Sequence, residues 1–246
     1  MKKILAIALL SALTSSTFAQ WKGAGEFGLA ITGGNTDTQN VNGKLGLVND
    51  NDAWKHEFGV GILRSEVSDL RTANRFDIGW TSGYKLSDVS YVFGSLRYEN
   101  DDFGAYDSQS VAALGYGFYP IKTEDTTLLF EAGLGYKESK PQRFDLVVVN
   151  GLPELRRIVG DSDGEAIVRG KIDFATKLTD TTQLYNTFLI EAGSDNKFMQ
   201  NDLGIAVKIS DTFAVKTGFQ LRRNSDVAPS VRKTDRLFTT NLVYSF

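Results

Sequence analysis

The sequence predicts an all-β fold: an antiparallel transmembrane β-barrel of about twelve strands, with short periplasmic turns and longer extracellular loops. Three observations carry that expectation. The chain opens on an export segment. It lacks both cysteine and any apolar stretch long enough for a spanning helix. It also breaks into short segments of alternating character, the last of which stops on an aromatic residue.

The export segment comes first. Lys2 and Lys3 precede an apolar run over residues 4–13, and Thr17-Phe18-Ala19 places small residues at the −3 and −1 positions of a cleavage site. This reads as a signal peptide over residues 1–19, leaving residues 20–246 as one barrel domain. Its removal shifts the formal charge from −3 to about −5 (25 basic against 30 acidic), which argues against a nucleic-acid partner. With no cysteines, an exported chain must be stable without disulfides, which a domain of this length can achieve. Glycine is abundant, with 24, proline is scarce, with 4, and aromatics make up 11%. That balance also suits a membrane barrel.

The strands follow in order, separated by eleven turn signals at residues 33–37, 49–52, 68–71, 86–88, 100–107, 120–126, 140–164, 178–181, 193–196, 209–211 and 224–230. Segment one sets Trp21, Phe27, Leu29 and Ile31 against Lys22, Glu26 and Thr32. The fourth sets Phe76, Ile78, Trp80 and Tyr84 against Arg75, Asp77, Thr81 and Lys85. The eighth sets Val168, Ile172, Phe174 and Leu178 against Arg169, Lys171, Asp173 and Lys177, and the eleventh Phe213, Val215, Phe219 and Leu221 against Lys216, Gln220 and Arg222. A period of two with one apolar face is the mark of a strand that meets two environments. Segments five (89–99) and nine (181–192) alternate poorly and receive no face. An even strand number puts both termini in the periplasm, so the longest connection, residues 140–164, falls outside.

The final strand alternates Phe238, Leu242, Tyr244 and Phe246 with more polar residues. Trp21, Trp54, Tyr84, Tyr119, Phe213, Tyr244 and Phe246 all fall near the periplasmic rim, as an interfacial girdle requires. The exposed end formed by Leu242, Tyr244 and Phe246 resembles the C-terminal signal of outer-membrane barrels. That likeness implies the barrel-assembly machinery and outer-membrane lipids as partners.

A more specific likeness lies in the first hairpin. Gly25-Glu26-Phe27-Gly28, then Thr32-Gly33-Gly34-Asn35-Thr36-Asp37, then Asn42-Gly43-Lys44-Leu45 resembles the YdiY-like salt-induced outer-membrane proteins, a family defined by a domain of unknown function. The resemblance implies an outer-membrane location and a link to salt or osmotic conditions, and it carries no catalytic residues. In physical terms, Gly33, Gly34 and Asn35 form a tight hairpin needing positive φ.

No constellation points to an enzyme, a metal site or a cofactor. The single histidine, His56, falls at the periplasmic rim beside Trp54, where it reads as a polar interfacial residue. The acidic runs at residues 49–52 and 161–165 read as turns. Gly115, Gly117, Gly133 and Gly135 recur at period two and suit close packing in the lumen.

The lumen is more informative. The assigned inward faces carry Lys22, Lys44, Lys55, Arg75, Lys85, Lys137, Arg169, Lys171, Lys177, Lys208, Lys216, Arg222 and Lys233 against Glu26, Glu57, Asp77, Glu131, Asp173, Asp202 and Asp235. Lys44, Lys85, Arg169, Lys171, Lys208, Lys216 and Arg222 are the candidate lining of a channel that favours anions or acidic small solutes. The alternative is a non-conducting structural barrel plugged by ion pairs. The connection at residues 140–164, with Arg143, Arg156 and Arg157, also has two readings: a hairpin above the membrane, or a loop folded inward with those arginines at a constriction.

Overall fold

The computed structural model describes residues 21–32, 38–68, 70–149 and 152–246. Thirteen antiparallel strands run β1 Trp21–Thr32, β2 Thr38–Asp50, β3 Trp54–Val67, β4 Leu70–Ser87, β5 Ser90–Asp101, β6 Tyr106–Lys122, β7 Thr126–Val149, β8 Leu152–Val159, β9 Asp163–Lys177, β10 Thr182–Ala192, β11 Lys197–Lys208, β12 Phe213–Asn224 and β13 Thr234–Ser245. Each barrel strand pairs with its neighbours in sequence, β7 pairs with both β6 and β9, and β1 pairs with β13, so twelve strands close into a ring. The thirteenth, β8, stands outside it. It pairs only with the far end of β7, from Gln142↔Val159 to Val149↔Leu152. The connection at residues 140–164 is therefore a hairpin that prolongs a barrel strand beyond the rim.

The distribution of polarity is inverted relative to a water-soluble protein. Leu114, Leu134 and Phe238 are about 70% exposed on the outer face. Glu191, Lys137, Gln220 and Arg222 are buried inside. Backbone groups pair from strand to strand around the closed ring, which lets the outer face present side chains.

Strand β5 explains why its face was unreadable in sequence. Tyr91 and Phe93 point inward and are buried, while Val92, Leu96 and Tyr98 are exposed on the outside. Both faces are apolar over its first half, so the alternation vanishes although the pleat persists. In β10, Tyr185 and Leu189 line the interior and Glu191 is buried there, with Leu184, Phe188 and Ile190 at the alternate positions.

The turns at the end that holds both termini are short and self-capped. Asn51 Oδ1 accepts from the Ala53 and Trp54 amides at 3.1 and 2.8 Å, which accounts for the acidic run there as a turn. Trp54 meets Tyr84 at 5.2 Å, and Phe213, Tyr244 and Phe246 form a second aromatic row with centroid spacings of 5.3 and 5.9 Å. Tyr119 departs from the expected girdle. It continues the inward row of Val111, Ala113, Gly115 and Gly117 on β6, packs on Tyr91 and accepts a hydrogen bond from Lys55 at 3.0 Å.

The seam that closes the ring is short. Its register covers Ala24↔Ser245 to Phe27↔Leu242, with Gly23 and Phe246 exchanging backbone hydrogen bonds at 2.8 and 2.9 Å. Beyond Phe27, the Asn42 amide donates to Asn241 Oδ1 at 2.7 Å across the seam.

Candidate functional site: the barrel lumen

The lumen has two unlike halves. Along β5, β6, β7 and β9 it is packed solid. Tyr91, Phe93 and Leu129 form a buried cluster. Gly117 faces the Tyr91 ring and Gly115 the Phe93 ring so closely that a Cβ on either would enter the ring's contact distance. The Tyr91 hydroxyl donates to Glu131 Oε1 at 2.6 Å, and Arg169 donates to Glu131 Oε2 at 2.7 Å while its guanidinium lies 5.1 Å from the Phe93 centroid. Lys137, 1% exposed, pairs with Glu165 at 2.6 Å. Glu165 also accepts from the Asp195 amide, so this member of the acidic run at residues 161–165 serves the wall.

A belt of charge then crosses the bore near the hairpin end. Arg97 on β5 reaches Glu191 on β10 at 2.5 Å and lies 3.6 Å from Glu99. Arg222 on β12, on the opposite wall, reaches the same Glu99 at 2.5 Å and Asp101 at 3.8 Å. Both guanidiniums lie against the Phe198 ring, at 5.3 and 5.2 Å. Stripping these charges of water is tolerable only because each meets a partner of opposite sign.

Along β1–β4 and β11–β13 the lumen is hollow. A cavity of about 660 Å³ opens at the hairpin end, lined by Arg75, Asp101, Gln220, Arg222, Arg232 and Asp235 among others. Two more, of about 370 and 210 Å³, include Arg75, Gln220, Lys44 and Glu26 in their walls. All three meet at Arg75 and Gln220, whose side chains join across the bore at 2.9 Å. The hollow has a sequence cause. Gly46 and Gly59 are cross-strand partners in the wall of the second cavity, and a Cβ on either would touch nothing within 4 Å. Gln220 in turn donates to Asp202 at 2.6 Å, and Lys216 pairs with Glu26 at 2.6 Å under the Tyr185 ring. Two further hollows, about 390 and 600 Å³, are grooves on the outer face among Trp80, Leu96 and Leu114 and do not reach the lumen.

The candidate lining residues divide by their partners. Lys85 pairs with Asp50, Arg169 with Glu131, Lys171 with Asp173, Lys216 with Glu26 and Arg222 with Glu99. Lys44, in the cavity walls, and Lys208, at the end of β11, form no direct ion pair among the described residues, although Lys44 lies near enough to Glu26 to act on its charge. Arg75, which donates to Gln220, shares that position with Lys22 and Lys233. In the hairpin, Arg143 pairs with Asp145 on its own strand, Arg156 is exposed, and Arg157 reaches Asp102 and Asp107 at the β5–β6 turn. Leu242, Tyr244 and Phe246 are exposed on the outer face. Gly33, Gly34 and Asn35 lie outside the described residues.

Sequence reading missed Arg97, Glu99 and Glu191, which are central to the crossing belt. Their signal was present. A lone acid in the apolar run of β10, or two charges spaced by two in β5, must face inward because the alternative is an ion in hydrocarbon. These three add one base and two acids to the interior, so the basic excess of the assigned faces shrinks.

A family model described as "Protein of unknown function, DUF481" matches residues 25–246. The uncharacterized protein YdiY of Escherichia coli (strain K12) is 25% identical over 182 residues, covering 72% of this chain and 64% of that protein, so the match spans just under two thirds of the relative's length. Among solved structures, an outer membrane channel from Pseudomonas putida F1 superposes with a TM-score of 0.50 at 9% identity, covering 92% of this chain and 95% of the other. The translocator domain of the autotransporter NalP from Neisseria meningitidis gives 0.49 at 13%, covering 92% and 87%. At such identities the channel's likeness speaks for the fold alone. The matched family model covers nearly all of the closed ring, and the chain belongs to the DUF481 family.

Proposed function

We propose that this protein is a narrow passive channel of the outer membrane, with a weak preference for anions or acidic small solutes, acting when salt or osmotic conditions change. The observation that carries this reading is the series of three cavities meeting at Arg75 and Gln220. One hydrogen bond between a cation and an amide stands where these cavities adjoin. An anion that replaces Gln220 as the partner of Arg75 would open the path and be held at once, which is how a lining charge confers selectivity. Export through residues 1–19, insertion by the barrel-assembly machinery through Leu242, Tyr244 and Phe246, and contact with outer-membrane lipids complete the reading. The salt link rests on the family resemblance.

The test is single-channel recording of the refolded mature protein in a planar bilayer under a salt gradient. Discrete steps with a reversal potential on the anion side are expected. Arg75→Ala with Gln220→Ala should raise the conductance and weaken the anion preference. Silence from a barrel shown to be folded would sink the channel. It would leave the structural, plugged barrel, a second reading favoured by the Arg222–Glu99 and Arg97–Glu191 pairs that cross the bore.

We further hold the protein to be non-enzymatic, although Ser82 Oγ and His56 Nδ1 lie 3.0 Å apart on the outer face. A hydrolytic serine also needs donors aimed at the developing oxyanion. Here the backbone on both sides is committed to ladder pairing, Asn49↔His56 and His56↔Ser82, and Trp21, Trp54 and Trp80 crowd the imidazole. A fluorophosphonate probe should leave Ser82 unlabelled.

A further inference from the structure

At the hairpin end the outer face carries two kinds of basic residue. On β3 and β4, Arg64 and Arg71 share Glu66, so their charge is answered within the protein. On β11, β12 and β13, Lys197, Arg223 and Arg236 are all exposed and meet no carboxylate among the described residues.

Register brings these three together. Arg223 is the partner of Thr234 and Arg236 of Leu221, so the two arginines are diagonal neighbours on adjacent strands. Met199 is the partner of Arg223, and Lys197, two residues along, sits opposite Ser225 through hydrogen bonds of 2.8 and 3.0 Å. Diagonal pairs on one face stand roughly 7–8 Å apart, within reach of side chains this long. The pleat turns all three outward, since Phe198, Arg222 and Asp235 alternate with them on the lumen side, with Arg236 also bordering the mouth of the cavity of about 660 Å³. Directly along the same strands, towards the middle of the barrel, come Leu203, Phe219 and Phe238, exposed by 44%, 40% and 69%. Cations therefore cap an apolar surface, the order in which a lipid presents its headgroup above its chains.

We propose that Lys197, Arg223 and Arg236 bind the phosphorylated headgroup of a glycolipid in the outer leaflet, its acyl chains lying on Leu203, Phe219 and Phe238. The proposal rests on the outer-membrane placement above and is independent of conduction. Arginine matches phosphate oxygens with paired donors, and the lysine adds a point charge. At the β3–β4 patch the protein supplies its own anion, Glu66, and the lipid has no charge to add.

The experiment refolds the mature protein into bilayers containing bisphosphorylated lipid A or its dephosphorylated form and counts lipid retained by native mass spectrometry. Wild type should retain the bisphosphorylated lipid preferentially, and Lys197→Gln/Arg223→Gln/Arg236→Gln should lower that retention roughly tenfold or more, since each charged hydrogen bond lost is a sizeable share of the affinity. Arg64→Gln/Arg71→Gln, on the answered patch, should change nothing. Equal retention of both lipids, or an unaltered triple variant, would overturn the site. Displacement of the lipid by millimolar inorganic phosphate would assign the cluster to a free anion and equally overturn a lipid site. Should the triple variant fail to fold, Arg236→Gln alone carries the comparison. Conductance recorded on the same samples separates a failed lipid site from a failed channel.

Discussion

The packed and hollow halves of the lumen are built from the same strand pattern, and one difference between them is what sits opposite glycine. Gly115 and Gly117 face aromatic rings that fill the space a side chain would take. Gly46 and Gly59 face each other across a strand pair and nothing fills the space. The same residue type makes a tight wall in one place and a passage in the other. Glycine content alone therefore says nothing of an open bore; the partner of each glycine does.

Gly117→Val should produce the largest effect, because the new side chain must displace the buried Tyr91 ring and overpacking is costly. Loss of the folded species on heat-modifiable electrophoresis is expected, whereas Gly46→Val should fold as wild type. If both variants folded alike, the two halves would not differ in packing. Next comes Glu191→Gln, which leaves Arg97 only Glu99, 3.6 Å away and shared with Arg222, and should cost about 3 kcal/mol in the urea unfolding free energy measured in liposomes. On the outer face the halves should be indistinguishable. Leu114→Arg beside the packed half and Leu203→Arg beside the hollow one should each cost about 2–4 kcal/mol, as for a cation at mid-membrane depth. The smallest effect on stability belongs to Gly59→Phe. It should leave the unfolding midpoint in place and reduce single-channel conductance by filling the second cavity.

The barrel itself was legible because its strands obey one rule: apolar residues outside, polar residues inside, with a turn every ten to fourteen residues. The twelve-strand ring and the faces of β1, β4, β9 and β12 follow from that rule directly. Where the rule fails, so does the reading. Tyr91 and Phe93 place aromatics inside beside apolar outer neighbours, and β10 mixes Asn186 and Thr187 into an apolar run, so neither strand shows its pleat in the sequence. Charges on the readable strands could be given a face. Which of them are neutralised was hidden, because Glu99 and Glu191 lie on the two unreadable strands and their partners stand on other walls of the barrel. Pairing across a bore is a property of closure, and no local pattern encodes it. Tyr119 is different: it lies two residues beyond Gly117 on the inward row of β6, so the period of two assigns it to the lumen and not to the girdle.

The short β1–β13 seam has a consequence for how the molecule comes into being. Its first pair, Ala24↔Ser245, joins residues 221 positions apart (245 − 24), whereas the pairings between sequence neighbours close far smaller loops. The entropic cost of such a closure grows only slowly with length, but nothing local rewards it in advance. The hairpins can form one after another; the ring cannot shut until residues 242–245 pair with β1. Three of the four seam pairs use Val243, Tyr244 and Ser245, so a chain cut before them would hold a nearly complete sheet with two bare edges. Such edges are templates for pairing with another chain. Premature truncation of this protein should therefore yield an aggregate, and the C-terminus serves as the latch that separates the two fates.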